Sequence, residues 1–384
     1  MNFVFISPNF PPNFYQFCVE LKKAGATVLA IGDAPYKDLI PELKESITEY
    51  CCIDMLNYDK VFRTVAYLSS KYGKIDRIDS HSEFWLALEA QLREDFNIFG
   101  QRSSDLDMNQ SKTAMKQVYK DADVPVCDAM LIGNPDELWE FVNEHEYPFI
   151  VKPDRGVGAS NTYKIKDEKQ LCDLLADLPP GYIIEPFVAG RIVTFDGLAD
   201  RSGQIMFCAS FELSGAVLEL MQDKKGMHYL YSREISVQLE KLGRRTIKGF
   251  NIRERFFHCE FFLTPEGEYL GLEINVRPPG GFSLDMLNYT SDINLYEIWA
   301  RLAVHNEDAL EYERKYNVVN VSKRDHIVYE NDNDAVRAKL GDMIVKDERI
   351  PEAFAEAMGN DTFLLRHADM DVLMEAVAFI EEEA

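Results

Sequence analysis

The stretch FFHCEFFLTPEGEYLGLEINVRPPGG, Phe256 to Gly281, decides how the rest of the chain is read. Two apolar-rich runs, at about 256–263 and 268–276, flank Thr264-Pro265-Glu266-Gly267. Pro at the second turn position and Gly at the fourth predict a hairpin closed by a type I turn. Strand side chains alternate faces. One predicted face carries Phe257, Cys259, Phe261, Leu263, Leu270, Leu272, Ile274 and Val276, which makes it a core face. The other carries His258, Glu260, Phe262, Tyr269, Gly271, Glu273 and Asn275. In this register Glu260 stands opposite Gly271 and diagonal to Glu273. Two carboxylates and an amide oxygen on one face repel unless a cation sits between them. Mg²⁺ (or Mn²⁺) suits that gap, because it takes a few hard oxygen ligands and leaves coordination sites for phosphate. A solvated acidic face is the plain alternative. The run Glu273-x-Asn275-x-Arg277, followed by Gly280-Gly281, favours the metal.

Working outward, Tyr147-Pro148-Phe149-Ile150-Val151-Lys152-Pro153 is an apolar strand that ends in a lysine. A lysine inside a buried run needs an anionic partner. The loop Asp154-Arg155-Gly156-Val157-Gly158-Ala159-Ser160 follows it. Its glycines let backbone N–H groups close around phosphate oxygens and let the loop act as a lid. It is no Walker A loop, since no Gly-Lys-Ser/Thr follows. Upstream, residues 2–7, a helix to Gly25 and Val28–Ile31 form a βαβ pattern, continued by a helix near 59–71 and the strand Ile75–Ile78. That alternation predicts an open parallel α/β sheet. His81 and Glu83 fall just past a strand's carboxyl end, where such sheets place ligands; helix capping by Ser80 or Ser82, with Glu83 in the first turn, is the alternative. Asn109–Asp121 reads as one helix, and Ile327-Val328-Tyr329 as a strand. The segment 213–235, with Lys224, Lys225, Tyr229, Tyr231 and Arg233, is either a substrate-contacting loop or a solvated connection.

The hairpin, the strand-Lys-Pro-Gly-loop unit and Glu185-Pro186-Phe187-Val188-Ala189-Gly190 occur in an order that resembles the ATP-grasp superfamily over roughly residues 1–305. The resemblance implies an α/β (α+β) ATP-grasp fold preceded by a Rossmann-like parallel α/β domain. It implies Mg²⁺ on Glu260, Glu273 and Asn275, and Arg277 facing phosphate or a substrate carboxylate. Lys112 and Lys152 would lie along the ATP phosphates, with Arg155, Gly156, Gly158 and Ser160 in the lid. Glu185, Phe187 and Val188 would form the adenine hinge. Many members place a ribose-binding Glu where Ile192 stands here, so that contact is absent or comes from elsewhere. The implied activity is an ATP-dependent carboxylate–amine ligase that works through an acyl phosphate, with Arg277 and Lys152 catalytic and His81, Glu83, Arg277, Gly280 and Gly281 near the small-molecule substrates. A carbamoyl-phosphate-synthase-like or carboxylase enzyme using bicarbonate, and a nucleotide-binding regulator without turnover, are the alternatives. The implied domains are 1–108 (pre-ATP-grasp), 109–190 (lid subdomain), 191–320 (metal-hairpin subdomain) and 321–384 (C-terminal extension).

Composition narrows the partners. The 384-residue chain carries 65 acidic and 41 basic residues, a net charge of −24. That disfavours nonspecific binding to nucleic acid or to an anionic membrane, and any anionic ligand then needs locally placed cations. The seven cysteines form no CxxC pair, no signal-peptide pattern is visible and no apolar run is long enough to span a bilayer. A reducing cytoplasm is the expected location, and a homodimer the default assembly.

Overall fold

The computed structural model describes residues 1–156, 161–213, 227–350, 352, 355 and 358–384. Its strands fall into three sheets in chain order. The first contains β1 (Asn2–Ile6), β2 (Thr27–Gly32), β3 (Glu49–Cys52) and β4 (Arg77–Asp79), all parallel in the order β3-β2-β1-β4. β1 is apolar at successive positions because both sheet faces are covered. Phe3 and Phe5 pack with Phe17 and Trp299 on one side, while Val4 and Ile6 pack with Val61, Val65 and Leu68 on the other.

The second sheet holds β5 (Met130–Leu131), β6 (Phe149–Pro153), β7 (Tyr163–Ile165) and β8 (Tyr182–Pro186), antiparallel in the order β5-β8-β6-β7. The third has eight antiparallel strands: β9 (Arg191–Ala199), β10 (Ile205–Leu213), β11 (Met227–Ser232), β12 (Arg255–Leu263), β13 (Tyr269–Asn275), β14 (Asn317–Lys323), β15 (Ile344–Arg349) and β16 (Asp361–His367). Their order is β13-β12-β9-β10-β11-β14-β16-β15.

The predicted hairpin is β12–β13, and its turn has the expected i to i+3 bond, Gly267 N–H to Thr264 O at 2.9 Å. Gly267 sits at φ +86°, a conformation that favours glycine. The register differs from the expected one. Glu260 pairs with Glu273 but Phe261 pairs with Gly271, so Leu272 is an extra residue in β13. A bulge of this kind shifts every residue on its far side to the other face. Tyr269 and Gly271, expected on the polar face, therefore lie on the core side, Tyr269 packed with Leu263. A Cβ at position 271 would stand 3.0 Å from the Tyr119 ring, which explains the glycine.

Three other expectations change. Asn109–Asp121 is two helices, 103–110 and 112–121, because Ser111 takes an extended conformation and caps the second, accepting from the Ala114 N–H at 3.2 Å. A boundary at 108/109 thus falls inside the first helix, and one at 320/321 falls inside β14, since the tail adds β14, β16 and β15 to the hairpin's own sheet. Ile327–Tyr329 is no strand; Tyr329 makes only an isolated bridge with Glu383.

A buried ion cluster joins the first sheet to the third. Arg255, opening β12, reaches Asp79 at 3.3 Å, Glu89 at 3.1 Å and the Val276 carbonyl at 2.7 Å. Arg93 donates to Glu89 at 2.9 Å beside it. All four side chains are buried.

Candidate active site

In the observed register Glu260 and Glu273 stand face to face, each only partly exposed. Burial, and then the neighbouring Glu260, push the Glu273 carboxyl up to about 7, against the pull of Lys112. Burial acts on Glu260 in the same direction, but the hydrogen bond and charge of His258 hold its carboxyl below the ordinary value. Opposed carboxylates strained in this way fit a divalent cation. Among the described residues no three His, Cys, Asp or Glu side chains form a closed metal cage. Two carboxylates that leave coordination open suit Mg²⁺, which keeps sites for water and phosphate.

Cations surround this pair. Lys112 opens the helix 112–121, and its Nζ donates to Gly156 O at 3.0 Å and lies 3.8 Å from Glu273. The Lys112 N–H donates to Asp154 O at 2.9 Å, so the helix start and the loop after β6 move as one unit. One turn on, Lys116 shares that face. Its Nζ lies 3.1 Å from Glu185 Oε2, and Lys152 Nζ, from β6, lies 2.5 Å from Glu185 Oε1. Burial alone would raise the Glu185 carboxyl, but Lys152 and then Lys116 outweigh it and hold the group ionised below its ordinary range. Both lysines and Glu185 are buried, as expected when each charge has a partner.

Arg277 and Glu83 meet across the boundary between the first and third sheets, Nε to Oε2 at 3.0 Å. In the orientation that satisfies its amide, Asn275 also donates to Glu83 Oε2, at 2.6 Å. Gly280 and Gly281 follow on the exposed side of this corner. Arg155 points outward to Asp107, 2.5 Å away. Phe187 gives its N–H to Pro148 O at 2.9 Å, and its ring lies 3.5 Å from Lys164 Nζ, so the Phe187 N–H is already used within the protein. Gly158 and Ser160, like Lys224 and Lys225, lie outside the described residues.

His81 is placed elsewhere. It is fully buried among Phe5, Phe14, Phe17, Phe256 and Trp299, with neither ring nitrogen hydrogen-bonded. Burial drives its pKa down to about 4, and the nearby Asp79 only partly opposes that. It is a core histidine, not a substrate contact.

Sequence reading gave no role to three site residues: Lys116, His258 and Asp196. His258 shares the hairpin face with Glu260 and gives Nδ1 to Asp196 at 2.7 Å and Nε2 to Glu260 at 3.1 Å. Burial favours its neutral form, but Asp196 and then Glu260 outweigh it and push its pKa up to about 10. Asp196 is fully buried and also accepts from Thr194 at 2.8 Å and Tyr231 at 2.7 Å. The signal for Lys116 was its spacing of four from Lys112. For His258 it was a place two residues before Glu260 on the same strand face.

Comparison with known proteins bears on the fold. No protein-family model matches the sequence. The L-arginine-specific L-amino acid ligase of Bacillus subtilis is 26% identical over 250 residues, which is 62% of this chain and 60% of that relative's length. The L-amino acid ligase of Bacillus licheniformis superposes with a TM-score of 0.74 over 98% of this chain and 95% of its own, at 13% identity. Phosphoribosylglycinamide synthetase of Anaerococcus prevotii superposes with a TM-score of 0.72 over 99% and 97%, at 14% identity. Superposed over nearly the whole of both chains, these structures show that this chain has the ATP-grasp fold.

Proposed function

We propose that the protein is an ATP-dependent ligase joining a small carboxylate, such as an amino acid, to an amine or similar nucleophile, with release of ADP and phosphate. One observation carries this reading: the face-to-face pair Glu260 and Glu273, with Arg277 two residues beyond Asn275 and Lys112 spanning from Glu273 to the loop after β6. The amino acid ligase from Bacillus subtilis supports it as the relative in sequence.

A carboxylate is a poor acyl electrophile because oxide would have to leave. Transferring the γ-phosphoryl group of ATP to a carboxylate oxygen, with ADP departing, supplies a good leaving group. The amine nitrogen then bonds to the acyl carbon, and the C–O bond to phosphate breaks. The first step brings two anions together, so positioning and charge neutralisation dominate it. Glu260, Glu273 and the Asn275 amide would hold Mg²⁺ (or Mn²⁺), which, when bound, offsets phosphate charge. Lys152 and Lys116, released in part from Glu185, would face the nucleotide, and Lys112 would steady the loop at Gly156. Arg277, a planar fork in reach of this corner, suits the two oxygens of the substrate carboxylate or the transferred phosphoryl group. Glu83 holds that fork in place from the N-terminal sheet. All seven cysteines are unpaired and no described helix is long and apolar enough to cross a membrane, which supports a cytoplasmic enzyme.

Hydroxylamine trapping tests the reading. With ATP, Mg²⁺ and a carboxylate that supports ADP release, hydroxamate forms without the amine substrate, and ¹⁸O passes from the carboxylate to phosphate. Absence of both products, or release of AMP and pyrophosphate, refutes it.

A further inference from the structure

A cavity of about 250 Å³ lies beside the carboxylate pair and is distinct from the lysine-lined cleft at Glu273. Its walls are the rings of Phe211, Tyr229 and Tyr231, the side chain of Met358, the backbone of Gly280 and Gly281, and the edge of His258. Phe211 anchors the aromatic wall, with ring centroids 5.4 Å from Tyr229 and 5.5 Å from Tyr231. His258 belongs both to this wall and to the reacting corner, since its Nε2 donates to Glu260. An occupant of the cavity therefore abuts His258, one hydrogen bond away from Glu260.

Of the polar side chains in the wall, Tyr231, His258 and Asn320 are already engaged. Tyr231 donates to Asp196. His258 gives both nitrogens to carboxylates and so offers no acceptor. Asn320 donates to Thr362 at 2.7 Å and accepts from Ser322 at 3.1 Å. Asp196, the carboxylate behind the wall, is buried and receives three donors. Among the described residues, then, no free carboxylate faces the cavity to pair with a cation. A guanidinium or ammonium buried there stays unpaired, which is unfavourable, whereas an apolar or aromatic side chain loses only its contact with water.

We propose that this cavity is the side-chain pocket for the carboxylate substrate, and that it selects amino acids with aromatic or large apolar side chains over those with basic ones. The proposal rests on the ligase reading above and names its substrate class. The backbone around the pocket fixes its size. Gly281 stands at φ +61°, and a Cβ there would come within 3.2 Å of the Tyr229 hydroxyl. A Cβ on Gly280 meets nothing within 4 Å, so a side chain can be added there without a backbone clash.

The test compares L-phenylalanine, L-leucine, L-methionine, L-alanine, L-arginine and L-lysine as hydroxamate donors with ATP, Mg²⁺ and hydroxylamine. At least tenfold higher kcat/KM is expected for the first three than for arginine and lysine. Gly280→Leu is expected to lower phenylalanine use at least tenfold more than it lowers alanine use. Arginine or lysine used as well as phenylalanine overturns the proposal and leaves the ligase reading intact, because it means that stacking on the rings holds a cation without a carboxylate. If no amino acid gives hydroxamate, calorimetry with L-phenylalanine in the presence of ADP and Mg²⁺ separates the two ideas. Binding that Gly280→Leu abolishes keeps the pocket and discards the ligase; no binding to the unaltered protein discards both.

Discussion

Glu273→Gln gives the sharpest check on the metal corner, because it separates stability from activity. The Glu273 carboxyl stands at about 7 in the folded protein against an ordinary 4.5, so the folded state holds its proton more tightly than the unfolded chain. The native state then binds more protons than the unfolded state between about pH 4.5 and 7. Its stability falls as pH rises through that window and levels off above it. At about 1.4 kcal/mol per pH unit, the metal-free protein at pH 8 carries roughly 3 kcal/mol of strain at this position. The side chain keeps 18% exposure, which makes that figure a ceiling. Glutamine retains the shape without the charge. Urea unfolding of metal-free protein is expected to show Glu273→Gln about as stable as the parent at pH 4.5 and up to roughly 3 kcal/mol more stable at pH 8. Taking the difference between the two proteins cancels His81, whose lowered pKa makes stability rise with pH through about 4 to 6.5, and His258, whose raised pKa makes it fall from about 6.5 to 10. Mg²⁺ with ADP is expected to stabilise the parent and not the variant, and the variant is expected to lose Mg²⁺-dependent ADP release. A variant less stable than the parent at pH 8, or a difference that does not change with pH, refutes the account of a strained carboxylate pair.

Four further outcomes follow from the same geometry. Arg277→Lys keeps the charge and loses the fork, so hydroxamate yield is expected to fall at least a hundredfold while ADP affinity, read by calorimetry, changes less than fivefold. Lys116→Met removes one of the two cations on buried Glu185; a loss of roughly 3 kcal/mol in urea unfolding is expected, together with weaker ADP binding, and unchanged values in both would disprove the role. His81→Ala opens a hole in the aromatic core and is expected to lose roughly 3 kcal/mol of stability, with KM for both substrates held in the protein that stays folded. Hydrogen exchange at Asp154, Arg155 and Gly156 is expected to slow when ADP and Mg²⁺ bind; equal rates with and without ligand would disprove closure of the loop around phosphate.

Local chemistry explains which parts of this molecule could be read from its sequence. The hairpin was legible because Pro265 and Gly267 each fit one position of a single turn type, and the alternation on either side of them runs long enough to place both strands to within a residue. The bulge at Leu272 was not legible, because Leu270, Leu272 and Ile274 alternate without a break along the sequence and nothing in that alternation marks the extra residue. Lys152 stood out because its strand is apolar on both sides. Lys116 reads as one of three lysines spaced by four, with Lys112 and Lys120, and only Glu185, reached through the fold of another sheet, gives it a buried partner. His81 misled for the opposite reason: it follows a strand's carboxyl end, a common place for ligands, but Trp299 and Phe256 come from more than 170 residues downstream to enclose it. The tail from residue 321 looked like an appendage because its strands are short and separated by loops. β16 pairs with β14 and β15 with β16, which makes both part of the third sheet.

The buried cluster of Asp79, Glu89, Arg93 and Arg255 limits how this protein could have been assembled in evolution. A core that began near residue 109 would carry Arg255 without either of its acids, a buried guanidinium left unpaired, and Arg277 would lose its Glu83 partner. An N-terminal sheet taken from a relative could replace this one only if it brought acids to both positions and a third to the corner at Glu83. The two halves are thus a matched set rather than interchangeable modules. Shuffling between chains of this fold is expected to succeed at surface loops or along the C-terminal strands, and to fail at the junction where the chain passes from its parallel sheet to its second sheet.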